Sequence, residues 1–204
     1  MPKDEANKIC IKMLTEVGIP EPAVRMKEYP HQLSGGMRQR IMIAMALLCN
    51  PELLIADEPS TALDVTIQAQ ILDLMRKLQS EKGTAIMLIT HDMGVIANYT
   101  DYVAVMYAGK IVEYNDVSSI FDTPRCPYTY GLLKSVPRVD EDVEKLYTIE
   151  GLVPTLEDMP AGCRFYNRCK YACKICEKED PGLIKYGTGK VRCWMYREDA
   201  PEDI

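Results

Sequence analysis

No apolar run in these 204 residues is long enough to cross a bilayer. The longest, Ile41 to Cys49, is about half of the roughly 20 residues that a helical span needs. No charged-then-apolar leader opens the sequence, so a cytoplasmic location is expected, with any membrane association made through partners. An excess of basic charge is missing too. The formal net charge is −6, and the lysines and arginines are scattered rather than striped, which argues against a nucleic-acid surface. Also absent is a phosphate-cradling G-x-x-x-x-G-K-[ST] loop. Gly182 and Gly187 have its glycine spacing, but Thr188 stands where the lysine belongs. No strand precedes them, and Cys193-Trp194 follows where a helix should run. What remains is a chain that is 47% apolar, globular in composition, and long enough for one domain and a small appendage.

The most informative stretch is residues 33–64, LSGGMRQRIMIAMALLCNPELLIADEPSTALD. Ser34-Gly35-Gly36 precedes a helix expected from about Met37. The free backbone N–H groups of a helix N-terminus, together with the helix dipole, form an anion site suited to a terminal phosphate. Leu53-Leu54-Ile55-Ala56 reads as a short buried parallel strand. Asp57 and Glu58 lie where that strand ends, which is where open α/β sheets place ligands. A phosphate site and a metal-plus-base pair so close in sequence point to nucleotide chemistry.

The rest follows from periodicity and punctuation. A helix is expected over 4–17, ended by Gly18, and a long one over about 66–81, ended by Gly83. A strand over 85–90 leads to His91, and Asp92 can cap a helix over 93–99. Strands over 102–107 and 110–114 flank Ala108-Gly109 as a hairpin. A short helix is expected from Asp116 to Phe121. Pro124, Pro127 and Pro137 then punctuate the chain, and 138–160 reads as an acidic, proline-spaced linker. Of the eight cysteines, Cys10 and Cys49 fall in helical patterns and read as small core residues. Cys163, Cys169, Cys173, Cys176 and Cys193 crowd together, and clustered thiolates in a cytoplasmic chain mean metal more often than disulfide.

These residues carry a resemblance. LSGGMRQR resembles the signature motif of ATP-binding cassette (ABC) ATPases, LLIADEPSTALD their Walker B strand and D-loop, and Thr90-His91-Asp92 their switch histidine. The resemblance implies an α/β fold, the carboxyl-terminal part of a P-loop NTPase with a RecA-like core. It also implies ATP and Mg²⁺, with Asp57 holding the metal through water, Glu58 as general base and His91 at the γ-phosphate. Ser34, Gly35, Gly36 and Gln39 of the signature, and Asp64 of the D-loop, would serve the nucleotide of a head-to-tail dimer. In the family a Walker A loop precedes the signature. The chain is therefore expected to be inactive in ATP hydrolysis by itself, while still able to lend its signature to a partner.

A second layer of resemblance lies in Tyr29-Pro-His-Gln-Leu-Ser, Ala62-Leu-Asp-Val-Thr-Ile-Gln-Ala-Gln70, Pro127-Tyr-Thr, Gly151-Leu-Val-Pro, Gly162-Cys-Arg-Phe, Arg168-Cys-Lys-Tyr, Ile175-Cys and Arg192-Cys-Trp194. These are similar to the D-type ATPase subunits of oligopeptide and dipeptide permeases, a subfamily that nickel transporters share. The resemblance implies a [4Fe-4S] cluster on Cys163, Cys169, Cys176 and Cys193 in a small Cys-rich, metal-binding appendage, with zinc as the alternative. Cys173 departs from the pattern and is a possible substitute for Cys176. The implied partners are two transmembrane permease subunits and a second ATPase subunit at the cytoplasmic face of the inner membrane, with an extracytoplasmic solute-binding protein acting indirectly. The implied division is 1–114 for the partial ATPase domain, 115–160 for a permease-type extension and linker, and 161–204 for the cysteine module and tail. The alternative is a truncated, non-catalytic remnant that only binds partners or a metal cluster.

Overall fold

The computed structural model describes residues 1–59, 63–137 and 147–200. Among these, no helix is long and apolar enough to cross a membrane. The chain divides into two compact units, Met1–His91 and Asp92–Ile204.

The first unit contains α1 (Lys3–Glu16), a short α2 (Pro22–Arg25), α3 (Gly35–Leu47), β1 (Leu53–Asp57), α4 (Val65–Lys82) and β2 (Ala85–Ile89). Its core forms where the apolar faces of three helices meet: Met13, Leu14 and Val17 against Ile43, Ala44 and Leu47, and against Ile71, Leu74, Met75 and Leu78. Fully burying one such side chain contributes roughly 1.5–3 kcal/mol. Arg40 stitches the three together, donating to the Val17 carbonyl at 2.8 Å and to Gln70 at 3.2 Å. Gly83 closes α4 in the left-handed region, φ 69°, as its position after the last apolar turn predicts.

β1 and β2 are parallel, paired from Leu53 opposite Ala85 to Asp57 opposite Ile89. The strand is where it was expected, but it is not buried on both faces. Leu54, Ala56 and Ile86 pack on the helical core. Leu53, Ile55, Met87 and Ile89 point the other way and are 46–60% exposed. A run of consecutive apolar residues marks a strand covered on both sides, and here only one covering layer is present. α3 also begins earlier than expected, at Gly35, because the Ser34 side chain caps it. Cys49 lies beyond the end of α3 and is exposed, not in the core, while Cys10 is half-buried.

The second unit holds α5 (Met93–Tyr99), β3 (Tyr102–Tyr107), β4 (Lys110–Asp116), α6 (Val117–Asp122), α7 (Pro127–Lys134), α8 (Lys174–Lys178), β5 (Ile184–Tyr186) and β6 (Gly189–Val191). Asp92 and Asp116 cap α5 and α6 through their side chains. Ala108 and Gly109 both have positive φ, 46° and 79°, the geometry of a tight primed turn between β3 and β4. The sheet runs β3-β4-β6-β5 and is antiparallel throughout. Among the described residues, the short helices α2 and α8, the helix α7 and the β5–β6 hairpin went unread in the sequence. α7 lies in the proline-punctuated stretch, where Pro127 occupies the first helical turn and so starts the helix rather than breaking it. The β5–β6 hairpin brings the cysteine-rich stretch onto β4. Gly189 is required there, since a Cβ would sit 2.3 Å from the Tyr114 carbonyl oxygen. Of the expected linker 138–160, residues 138–146 lie outside the described residues, and 147–160 carry no helix or strand.

Candidate functional site

β1 and β2 deliver their ends side by side, and the Glu58 N–H donates to the Ile89 carbonyl at 2.9 Å, extending the ladder by one step. That bond holds Glu58 in the left-handed region, φ 45°, a conformation a non-glycine residue adopts only when its surroundings impose it. The turn brings its carboxylate to His91, with Nδ1 3.0 Å from Oε1. Both side chains are solvent-accessible, the histidine more so. Asp57, the last residue of β1, is exposed beside them. Of the residues expected from the sequence to act on the nucleotide, the structure therefore brings Asp57, Glu58 and His91 to one strand end.

The signature residues sit at the start of α3. Ser34 Oγ accepts from the Met37 N–H at 3.3 Å, and Gly35 and Gly36 form the first turn, whose N–H groups have no carbonyl four residues back. Gly36 has to be glycine: a Cβ would lie 2.9 Å from Ile67 Cγ2. The first turn of α3 thus packs closely on the first turn of α4. Asp64 caps α4, its Oδ1 accepting from the Ile67 N–H at 3.0 Å. Its observed contact is this cap. Gln39 is half-buried one turn into α3. Residues 60–62 of the expected D-loop lie outside the described residues.

In the second unit, Cys163, Cys169, Cys173, Cys176 and Cys193 line one enclosed cavity of about 30 Å³, joined by Cys126, which sequence reasoning had not assigned to them. Burial pushes Cys126 and Cys176 up to about 12 and Cys193 up to about 11, and it raises Cys163 and Cys169 as well. The neighbouring sulfurs add to most of these shifts. Without a cation these thiols stay protonated at neutral pH. Lys110, Arg164 and Arg192 line the same cavity. Arg192 donates to Asp180 at 2.6 Å, and Lys110 pairs with the same carboxylate. Burial pushes the Asp180 carboxyl up, but hydrogen bonds from Lys110, the Gly182 N–H and Arg192 outweigh it and hold it below the ordinary range. No group of three or more His, Cys, Asp or Glu among the described residues is placed to hold a single metal ion.

Two anchors of this wall were not legible in the sequence. Glu113 is 2% exposed and accepts from the Arg125 and Cys126 N–H groups at 2.7 and 2.9 Å, which fixes Cys126 at the start of α7. Arg168 donates to the Ile149 and Glu150 carbonyls, both at 3.0 Å, and to the Tyr107 hydroxyl at 3.3 Å. Glu113 belongs to no motif, and although Arg168 stands in Arg168-Cys-Lys-Tyr, which carries the permease resemblance, nothing in that motif points to its contacts.

Comparison with known proteins gives these sites a context. Residues 3–61 match the family described as "ABC transporter", and residues 112–176 match "Oligopeptide/dipeptide transporter, C-terminal region". Among solved structures, the dimeric post-hydrolysis ATP-binding cassette MJ0796 bound to ADP and Pi is similar at 31% identity and a TM-score of 0.50, over 57% of this chain and 49% of that one. The cbiO1 cassette from Clostridium perfringens is similar at 33% identity and a TM-score of 0.52, over 60% and 48%. The fold is that of an ABC ATPase cassette. The Bacillus subtilis oligopeptide transport ATP-binding protein AppD is 51% identical over 99% of this chain, and the dipeptide transport ATP-binding protein DppD of the same organism is 51% identical over all of it. The chain spans 62% and 61% of these relatives' own lengths. With the two family matches, these place it plainly: the chain belongs to the oligopeptide/dipeptide branch of the ABC transporter ATP-binding proteins.

Proposed function

We propose that this chain is an energy-coupling subunit of an ABC importer for oligopeptides or dipeptides, in which ATP hydrolysis drives transport. The observation that carries the reading is the Glu58–His91 pair, 3.0 Å apart beside Asp57 at the end of β1. In this reading Glu58 polarises the attacking water, and His91 orients that water against the γ-phosphate. The exposed Asp57 carboxylate suits a hard cation that keeps part of its hydration, and Mg²⁺ bound there would neutralise phosphate charge. The first turn of α3, with Ser34, Gly35 and Gly36, offers N–H donors to the nucleotide of a second ATPase subunit, with Gln39 and Asp64 at that dimer contact. The 204 residues contain no G-x-x-x-x-G-K-[ST] loop, so alone they lend a signature but do not turn ATP over. Two transmembrane permease subunits at the cytoplasmic face of the inner membrane would receive the work. Cargo, peptide or nickel, would be chosen by an extracytoplasmic solute-binding protein.

The second part of the proposal is the cysteine wall. Enclosed thiols beside the cations Lys110, Arg164 and Arg192 fit a [4Fe-4S] cluster held by Cys163, Cys169, Cys176 and Cys193. Zinc, held at about 2.3 Å by the same four sulfurs, is the alternative, and the described residues gather no three such ligands for either in the metal-free chain. When bound, a cluster would cross-link segments of the Cys-rich appendage.

The test of the first part is Glu58→Gln in the assembled transporter. ATP turnover should fall about 10²-fold or more with nucleotide binding retained, and unchanged turnover would refute the assignment. Appreciable Mg-dependent turnover by the purified chain would refute its dependence on a partner. For the second part, anaerobically purified protein should contain iron and acid-labile sulfide, whereas zinc without sulfide would sink the cluster.

A further inference from the structure

Six cysteines share the wall of the cavity, yet the cluster reading uses four, and one of the other two, Cys173, is not idle in the geometry. Cys173 Sγ lies 3.3 Å from Cys176 Sγ. The contact is built by the backbone. Cys173 precedes α8, and the Cys176 N–H donates to its carbonyl at 3.1 Å, so the Cys-x-x-Cys turn folds both side chains to one side. The other end of the turn is pinned, because the Cys163 N–H donates to the Cys176 carbonyl at 2.8 Å. Gly162 passes so close that a Cβ would meet that carbonyl oxygen at 2.4 Å. Bringing the sulfurs to bonding distance, roughly 2.05 Å, needs side-chain rotation over about 1.3 Å. The two thiols also differ in access. Cys173 lines the cavity and, with Tyr166, Asn167 and Lys174, an open surface depression, whereas Cys176 lines the enclosed cavity.

We propose that Cys173 and Cys176 are a dithiol–disulfide couple, whose oxidation withdraws Cys176 from the thiolates that would hold the cluster. The disulfide stands on the geometry alone, and the withdrawal rests on the cluster reading above. The oxidant is a low-molecular-weight disulfide such as oxidised glutathione. Cys173, reached from the depression, attacks one glutathione sulfur as its thiolate. A mixed disulfide forms and one glutathione thiolate leaves. Cys176 then loses its proton and attacks Cys173 Sγ, closing the intramolecular bond and expelling the second glutathione thiolate. Two cysteine thiols give up two electrons and two protons, and one glutathione disulfide becomes two thiols.

The experiment uses the whole chain, stripped of metal with a chelator and equilibrated across a series of reduced-to-oxidised glutathione ratios. Free thiols are then alkylated and the chain is cut with trypsin. Cleavage after Lys174 separates the two cysteines, so the disulfide is read as residues 171–174 linked to 175–178. The expected result is that this linked pair replaces both alkylated peptides as the buffer becomes oxidising, and that it is lost in Cys173→Ser. Full alkylation of both cysteines throughout the series, or Cys173 joined to Cys169 instead, overturns the couple. A second arm loads each protein anaerobically with ferrous iron and sulfide. Reduced wild type and Cys173→Ser should load alike, and oxidised wild type should fail until treated with dithiothreitol. Equal loading of oxidised and reduced wild type overturns the withdrawal, and loading by wild type but not Cys173→Ser makes Cys173 a ligand and does the same. If neither loads while the linked peptides form, the cluster reading fails and the disulfide stands.

Discussion

The two units solve the same problem, covering a sheet, with cores of different make: three helices in the first, and helices, loops and cysteines in the second. In residues 92–204 the strand Tyr102–Tyr107 alternates strictly, and its inward residues Val103, Val105 and Tyr107 are buried with Val112, Ile120, Phe165 and Val191. In residues 1–91 the strands alternate as well, with Leu53, Ile55, Met87 and Ile89 outward; the second unit's strand also turns Tyr102 and Met106 outward, but its sheet has four strands where the first has two. The comparison teaches that apolar content in a strand does not by itself report how many of its faces are covered. An exposed apolar face of this kind marks a contact surface or an aggregation hazard.

The sharpest way to break the comparison is to cut the covered face. Phe165→Ala, which removes a ring packed edge-on against Tyr107 and Tyr128, should cost about 3–5 kcal/mol in denaturant unfolding of the second unit. A loss below about 1 kcal/mol would show that this core is loosely filled. Next comes the buried carboxylate. Glu113→Leu strands the N–H groups of Arg125 and Cys126 away from water and should cost about 1–3 kcal/mol in the same measurement. Acid should then separate the units. Asp180 titrates below the ordinary carboxylate range, so its contribution is present above about pH 4 and is lost as pH falls through the lowered value. Asp180→Asn should flatten that acid limb. At the other extreme, the metal-free thiols keep their protons in the folded state while an unfolded chain ionises near pH 8.5. Stability should therefore decline as pH rises from there toward about 11–12, the values of Cys193, Cys126 and Cys176. The smallest effect belongs to the naked face. Ile55→Thr with Met87→Thr should change stability by less than about 0.5 kcal/mol while reducing aggregation, seen by light scattering. A large destabilisation would mean that the face is covered in solution.

Legibility followed the range of the interaction. β1, α4, β2, α5 and the Ala108-Gly109 turn could be read closely, because each is written in local periodicity and in end signals such as Asp92 and Gly83; Asp64, read as a D-loop residue, proved to be a cap as well. The Glu58–His91 contact was readable only as two motifs, since their meeting depends on β1 and β2 pairing in register. Glu113 reaching Arg125 and Cys126, Arg168 reaching back to Tyr107, and β6 joining β4 are contacts between distant segments, and no motif names the partner. The naked strand face was misread for a related reason: an all-apolar strand looks the same in sequence whether its second cover is present or not.

The strand order β3-β4-β6-β5 has a consequence for synthesis. The open edge of β4 waits for β6, residues 189–191, and β5 emerges from the ribosome before it yet ends up outside it. The β3–β4 hairpin can pair with itself, but the second edge of β4 at Glu113 and Tyr114 must wait unpaired while more than seventy residues are translated. Cys193 emerges two residues after that strand. The last cysteine of the wall thus arrives together with the strand that closes the sheet, so a growing chain has no complete set of thiols to offer until its fold is ready to enclose them.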